Sequence, residues 1–266
     1  MITSVANEKV KYARSLYRRR VRYREKHFVI EGVRLVREAF RAGIVPALVF
    51  YSEEVDALPG GQGLLAEIQK GDSPAFAVSE RVMKALADTV SPQGVLAVVP
   101  FVELAPPLVL STVEGPSPSL GLVVDGLRDP GNLGTILRSA NAARVEQVIL
   151  APKTVDPYNP KVVRGAMGAH FWLPISSLSW PEIAEALADV YVLLADARAE
   201  RAYYEVDWTQ PSALIIGGEA YGASQEAREL AVATIAIPMH GGVESLNAAV
   251  AASIILFEAT RQRSFH

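Results

Sequence analysis

The 266-residue sequence contains no cysteine. Disulfide scaffolds, zinc ribbons, iron–sulfur clusters and thiol nucleophiles are excluded together. Histidine is scarce: His27, His170, His240 and His266 are the only four, and no two have the spacing of a metal-ligand pair. No metal cofactor is therefore expected. The opening residues, Met1-Ile-Thr-Ser-Val-Ala-Asn-Glu-Lys9, are polar and lack a signal-peptide core. Long apolar runs are missing as well. Leu246 to Phe257 is the longest mostly apolar stretch; it contains Asn247 and Ser253 and is too short to span a bilayer. The expectation is a soluble, cytoplasmic protein that makes no membrane contact.

Half of the residues are apolar and 21% are charged. A sizeable core is therefore expected and wholesale disorder is not. The length fits one large domain or two modest ones. Net charge is only −3, but it is unevenly spread. Residues 1–41 hold twelve Lys or Arg against four Glu, a local charge of +8, and the remainder of the chain carries −11. Such segregation marks a polyanion-binding segment. Tyr12, Tyr17, Tyr23 and Phe28 are interleaved with the cations. Aromatic faces beside arginines suit unstacked bases as well as phosphates, which favours single-stranded or looped RNA over duplex. The plain alternative is a solvated basic helix.

Along the chain, apolar runs at 46–51, 75–78 and 95–99 read as strands, with helices over 64–69 and 81–87 and an extended piece followed by a helix over 29–40. Gly60-Gly-Gln-Gly63 reads as a turn. The first hundred residues thus form a small α/β unit. Pro100, Pro106, Pro107, Pro116 and Pro118 then interrupt the pattern, so a linker is expected over 106–118, between a basic domain (1–105) and a second domain (119–266). In that second half, 120–125, 147–150, 190–195, 213–216 and 234–237 are apolar runs typical of parallel strands covered on both faces. Helices are expected over 133–143, 181–188, 225–230 and 245–261. Ligands of such sheets bind beyond the strand carboxyl ends.

Three loops there hold the unusual residues. In Asp129-Pro-Gly-Asn-Leu-Gly-Thr-Ile-Leu-Arg-Ser-Ala-Asn141, Asn132 stands where a helix N-cap belongs, and Arg138 lies inside an apolar helix where it needs an anionic partner. The bland reading is a cap and a surface charge. In Ile215-Ile-Gly-Gly-Glu-Ala-Tyr-Gly222, Gly217 and Gly218 let backbone approach a flat ligand, with Glu219 at the turn; this is neither the dinucleotide fingerprint nor a phosphate-binding P-loop. The bland reading is a tight turn. The third loop runs from Ile237-Pro-Met-His-Gly-Gly-Val-Glu to Ser245-Leu246-Asn247 and opens a long helix. There Ser245 is either a site hydroxyl or an ordinary N-cap. Ala248, Ala249, Ala251, Ala252 and Ser253 leave room for another backbone. His240 reads as a loop histidine.

Together the three loops resemble the motifs of the SpoU/TrmH branch of the SPOUT RNA methyltransferases: Asn132-x-Gly134-x-Ile136-x-Arg138-Ser139-Ala140, Gly217-Gly218-Glu219-x-x-Gly222, and Ile237-Pro238-Met239 with Ser245-Leu246-Asn247. Order and spacing agree over about residues 120–262. Asn7-Glu-Lys-Val-Lys11, Phe28-Val-Ile-Glu-Gly32 and Gln93-Gly94-Val95 resemble family members with a ribosomal-protein-like α/β RNA-binding domain. Ala220 and Tyr221 depart from the smaller turn of many relatives.

The resemblance implies an α/β fold whose second domain is a parallel-sheet SPOUT methyltransferase domain with a deep trefoil knot. It implies a homodimer with the site completed at the interface, and S-adenosylmethionine (AdoMet) as methyl donor to a ribose 2′-hydroxyl. RNA is the partner, with the nearest likeness to bacterial 23S rRNA enzymes. Gly217, Ile237 and Leu246 would contact the cofactor. Asn132, Arg138, Glu219, Ser245 and Asn247 would form the catalytic neighbourhood. Arg138 is either a base of strongly depressed pKa or a phosphate anchor that eases loss of the hydroxyl proton. Other readings are the same chemistry on tRNA, a silent RNA-binding assembly factor of the same fold, and a dinucleotide-dependent oxidoreductase, which the missing glycine fingerprint disfavours.

Overall fold

The computed structural model describes residues 1–102, 104, 119–219, 222–241 and 244–264. The linker expected over 106–118 lies outside the described residues, as do Ala220, Tyr221 and His266. In chain order the elements are α1 (Glu8–Ser15), α2 (Arg19–Glu25), β1 (His27–Glu31), α3 (Val33–Arg41), β2 (Leu48–Tyr51), α4 (Gly61–Lys70), β3 (Ala75–Ala77), α5 (Glu80–Leu86) and β4 (Val95–Pro100). They continue with β5 (Leu120–Asp125), α6 (Pro130–Ala142), β6 (Gln147–Leu150), α7 (Pro160–Ala166), β7 (Ile175–Ser177), α8 (Trp180–Ala186) and β8 (Tyr191–Ala195). β9 (Ser212–Gly217), α9 (Gln225–Leu230), β10 (Ala233–Ile235) and α10 (Ala248–Ser264) complete the chain. Two compact units result: Met1–Val102 with Tyr158–Phe171, and Glu103–Pro157 with Trp172–His266.

In the first unit the sheet order is β1-β4-β2-β3, with β4 antiparallel to β1 and β2, and β3 parallel to β2. Strand side chains alternate between faces, so the continuous apolar run of β4 demands cover on both. Val95, Ala97 and Val99 pack with Val36 of α3 and Leu64 of α4. Leu96 and Val98 pack with Val10 of α1 and Met83 of α5. The turn expected at 60–63 instead starts α4. Gly60 takes a left-handed conformation (φ 81°) ahead of it, and a Cβ on Gly61 would lie 1.6 Å from the Val55 carbonyl oxygen. The segment Tyr158–Phe171 joins this unit through Val163 and Phe171, which enter the core beside α3. Its Tyr158 ring stacks on Phe101 at 3.8 Å.

The basic segment is structural as well as charged. Val10, Ala13 and Leu16 bury one stripe of α1 and its end. The Arg22 guanidinium, buried, donates 2.8 Å hydrogen bonds to the carbonyls of Leu16 and Tyr17, tying α1 to α2. Of the four aromatics expected to face RNA, Phe28 is core, and Tyr12 and Tyr17 pack against the α1–α5 cluster. The Tyr17 hydroxyl donates to the Leu86 carbonyl at 2.7 Å. Burial, then Glu31 and Asp88, push its phenol pKa up. Tyr23 alone stays exposed. The packing around β1 and β4 recruited the others. Ten of the twelve cations remain exposed; Arg22 is buried and Arg37 half-buried.

The second unit is a six-stranded sheet, β10-β8-β9-β5-β6-β7, parallel throughout. Val123, Ile149, Val192, Leu194 and Ile215 face a layer containing Ile183 of α8 and Ala227 of α9. α10 packs along α6 and reaches β9. Ser253 donates to the Ala249 carbonyl, so the 2.7 Å hydroxyl pair with Ser139 of α6 has Ser139 as donor. The expected strand over 234–237 ends at Ile235, because Ala236 leaves β8 to pair with Ala202. Among the described residues no helix is long and apolar enough to cross a membrane, and no group of three or more His, Asp or Glu could hold a metal.

The last turn of α10 anchors two loops. Arg263 donates from Nε to the Trp208 carbonyl (2.6 Å) and from Nη2 to the carbonyls of Ser119 (3.0 Å) and Gln210 (3.1 Å). Burial brings its pKa down to about 10, so it stays charged at neutral pH. Gln262 accepts from the Trp208 amide at 3.0 Å, and the Trp208 side chain is fully buried. Replacing Arg263 with Met removes three hydrogen bonds: the Trp208 carbonyl loses its donor, while the Ser119 and Gln210 carbonyls keep only the Ser212 amide (2.9 Å) and the Ser212 hydroxyl (2.7 Å). The expected loss is about 3 kcal/mol of unfolding free energy, read as a lower urea midpoint at unchanged slope.

Candidate active site

A cavity of about 950 Å³ opens at the carboxyl ends of β8, β9 and β10. Ala195, Gly217 and Ile235 mark those ends, and Ala248, Ala251 and Ile255 of α10 form another wall. This is where a parallel sheet places its ligands, and the volume falls in the usual range of roughly 300–1,000 Å³ for small-molecule and cofactor sites.

Asp129, not Asn132, caps α6: its carboxylate accepts from the Asn132 amide N–H at 2.8 Å, and Pro130 occupies the first turn. The helix therefore starts earlier than the residue pattern suggested. The amide of Asn132, three residues into the helix, is released for other contacts. Ser245 likewise is not a cap. α10 begins at Ala248, and Asn247 Oδ1 accepts from the amides of Ala249 (2.9 Å) and Val250 (3.3 Å). Of the alanines that follow, Ala248 and Ala251 line the cavity, while Ala249 and Ala252 are buried.

These two asparagines and Glu219 form a directional chain. Asn247 Nδ2 donates to Asn132 Oδ1 at 3.0 Å, and Asn132 Nδ2 donates to Glu219 Oε1 at 2.5 Å. Amide orientation is set by the network around it, and here both ends are determined. The helix amides can only donate to Asn247, and the Glu219 carboxylate can only accept from Asn132. The three loops are thus joined by one row of hydrogen bonds with a single polarity.

The glycines of the second loop line the cavity and also lie close against the protein's own backbone. A Cβ on Gly217 would stand 2.5 Å from the Ala223 nitrogen, and one on Gly218 would stand 2.8 Å from the Gly126 carbonyl oxygen. Two acids missed by the residue reading hold this loop from outside. Asp125, buried at the end of β5, accepts from the Ser224 amide at 2.6 Å. Asp196, at the end of β8, accepts from Arg228 Nη1 (2.8 Å) and the Arg198 amide (3.0 Å). Its hydrogen bond with Arg228, then that with the Arg198 backbone, holds its carboxyl below the usual range. A lone acid closing an apolar strand was the available signal for both.

Gly217, Glu219, Ile237, Ser245, Leu246 and Asn247 all line the cavity. Asn132 reaches it through its two bonds. Arg138 does not line it. It lies six residues beyond Asn132, about 240° around the helix and some 9 Å along it. Its side chain is exposed and has no ion pair among the described residues. The expected buried anionic partner is absent because this face of α6 is turned outward. His240 is exposed on the third loop, outside the lining. Arg198 and Arg228 also line the cavity but are paired with Asp196, so the apolar walls (Ile216, Ile237, Met239, Leu246, Ile255) with the carboxylates of Glu219 and Glu244 suit a flat aromatic ligand that carries positive charge.

Residues 119–257 match the SpoU rRNA methylase family, and residues 7–97 match the MRM3-like substrate binding domain. The chain is 36% identical to human mitochondrial rRNA methyltransferase 3, over 90% of this chain and 69% of that protein. It is 31% identical to the Bacillus subtilis 23S rRNA (guanosine(2553)-2′-O)-methyltransferase, over 96% and 97% of the two chains. The crystal structure of an AdoMet-bound rRNA methyltransferase from Sinorhizobium meliloti superposes with a TM-score of 0.84 at 30% identity, covering 98% of this chain and 97% of that one.

The hydrogen-bond polarity has a direct test. Asn247→Asp keeps the helix cap but faces Asn132 with a second acceptor, so Asn132 turns and loses Glu219. The expected cost is about 1 kcal/mol in urea unfolding. Glu219→Gln alone keeps an acceptor and is near neutral. Combined with Asn247→Asp it allows the whole row to reverse, so the double variant should regain most of that loss. Additive effects would show that the amides do not act as a connected row.

Proposed function

The chain belongs to the SpoU rRNA methylase family, and on that premise we propose that it transfers a methyl group from AdoMet to a ribose 2′-hydroxyl of ribosomal RNA, 23S rRNA in particular. The carrying observation is the convergence of Asn132, Glu219 and Asn247 on a cavity whose walls fit this donor. The carboxylates of Glu219 and Glu244 favour a sulfonium, and the apolar walls favour adenine. Relatives named as rRNA 2′-O-methyltransferases support the substrate class. Residues 1–105 would bind RNA and 119–266 would carry the reaction, in the cytoplasm. The trefoil knot belongs to the same reading. Its support is the family to which the chain belongs.

AdoMet, when bound, supplies a methyl group already activated by its sulfonium. What the protein must add is alignment of the incoming oxygen and help with its proton. Gly217, Ile237 and Leu246 are assigned to hold the donor, the last two through apolar contact. Glu219 and Asn132 hold the second loop in place. Ser245 offers a hydroxyl that orients the ribose. Arg138 points away from its own chain's cavity, which supports a composite site in a homodimer, with Arg138 entering from the partner. Val250 and Phe257 support that interface: both are about half exposed and seven residues apart on α10, hence on one stripe. Arg138 there binds the phosphate beside the ribose or takes up the hydroxyl proton.

Arg138→Ala should lower methyl transfer to total rRNA by about 10²-fold or more, with affinity for S-adenosylhomocysteine unchanged by calorimetry. Mixing it with the Glu219→Ala variant should restore about a quarter of wild-type turnover, since half the dimers are mixed and each has one complete site. A mixture that stays silent would place Arg138 in its own chain's site.

RNA affinity has a separate test. Residues 1–41 carry β1 and part of the core, so neutralisation rather than deletion is informative. Arg18 and Arg20 are exposed and have no ion pair among the described residues. Changing both to Ala should weaken RNA binding and flatten the log K against log salt slope by about 1.4 for a single-stranded target. An unchanged slope would leave these cations as surface charge only.

A further inference from the structure

Tyr23 is unlike the other aromatics of the basic segment. Phe28 is buried and Tyr17 is held by its hydrogen bond to Leu86, whereas Tyr23 presents 41% of its surface to solvent. Its ring is nevertheless propped in place. It meets Phe101 edge-to-face at 5.4 Å and 87°, and Tyr158 at 6.2 Å and 80°. Phe101 and Tyr158 are themselves stacked at 3.8 Å and 8°, with Phe28 packed against both. Tyr23 therefore stands on a rigid aromatic base, which removes much of the rotamer entropy a surface ring would lose on binding.

One turn earlier on α2, the Arg19 guanidinium lies over the Tyr23 ring, 5.4 Å from its centroid. An arginine on an aromatic face makes a flat, cationic surface of the kind on which nucleobases stack. Arg18 and Arg20 flank it with exposed guanidinia that have no ion pair among the described residues, and Arg24 follows on the next turn, paired with its neighbour Glu25 at 2.8 Å. A nucleobase needs a face to stack on, and its two phosphates need cations on either side. α2 offers both within two turns.

We propose that Arg19 and Tyr23 form a stacking site for one unpaired RNA base, with Arg18 and Arg20 holding the adjoining phosphates. This rests on the RNA-methyltransferase reading and deepens it. The first unit prefers looped or single-stranded RNA through a defined position, not through charge alone. A solvated basic surface would bind duplex at least as well, because duplex has the higher phosphate density.

The test uses the full-length protein and two probes, a short oligoadenylate and a duplex of the same length. Tyr23→Ala should weaken oligoadenylate binding about tenfold, as expected for one base–aromatic stack, with the salt slope unchanged and duplex binding little altered. Tyr23→Trp should restore the affinity. A 2-aminopurine in the oligonucleotide should be quenched by the wild type and the Trp variant but not by the Ala variant. Thermal unfolding and S-adenosylhomocysteine affinity of Tyr23→Ala should match wild type, which separates loss of the platform from loss of the fold. Equal oligoadenylate affinity and quenching for Tyr23→Ala and wild type would overturn the stacking site while leaving the methyltransferase reading intact. Failure of the wild type to bind either RNA, or to bind S-adenosylhomocysteine, would overturn the underlying reading itself.

Discussion

A carboxamide has one donor end and one acceptor end, and Asn132 spends both on distant parts of the chain. Its oxygen takes a hydrogen bond from Asn247 and its nitrogen gives one to Glu219, across sequence separations of 115 and 87 residues. Asn247 in turn receives the first amides of α10. The N-terminus of the last helix, the first turn of α6 and the loop after β9 are therefore held in one electrostatic row. The row thereby ties together the segments that carry the lining residues Gly217, Leu246 and Ala248.

The sheet makes this convergence possible. With all six strands parallel, every carboxyl end lies on one edge. β5 is the strand between β9 and β6, so the loop after β5 starts beside the loop after β9. Asp125 and Asp196 end two apolar strands and spend their carboxylates on backbone or guanidinium donors at that edge. They hold loops that line the cavity. Arg263 does similar work at the opposite, amino-terminal side of the sheet, where it collects the carbonyls that precede β5 and β9.

The first unit solves a different problem. A segment with a charge of +8 must still fold. It does so by burying a thin apolar stripe, Val10, Ala13 and Leu16, and one guanidinium, Arg22, whose hydrogen bonds go to backbone carbonyls rather than to an acid. The other cations stay at the surface, where water solvates them and phosphate can reach them. Core formation thus spent most of the aromatics and very few of the charges.

Composition and pattern alone determined much of this protein. Apolar runs without alternation meant parallel strands buried on both faces, and five of the six in the second unit were legible that way. β7, only three residues long with two serines, carried too little pattern to be seen. The charge segregation was plain, and so were the three loops and the cavity residues Gly217, Glu219, Ile237, Ser245, Leu246 and Asn247. The tertiary structure decided what periodicity cannot encode. It made Asp129 and Asn247 the helix caps, turned Arg138 outward and set Gly217 and Gly218 close against other backbone. It also buried Phe28 while leaving Tyr23 at the surface. Periodicity is a property of neighbours a few residues apart, whereas cap choice, hydrogen-bond polarity and side-chain exposure depend on groups brought in from a hundred residues away.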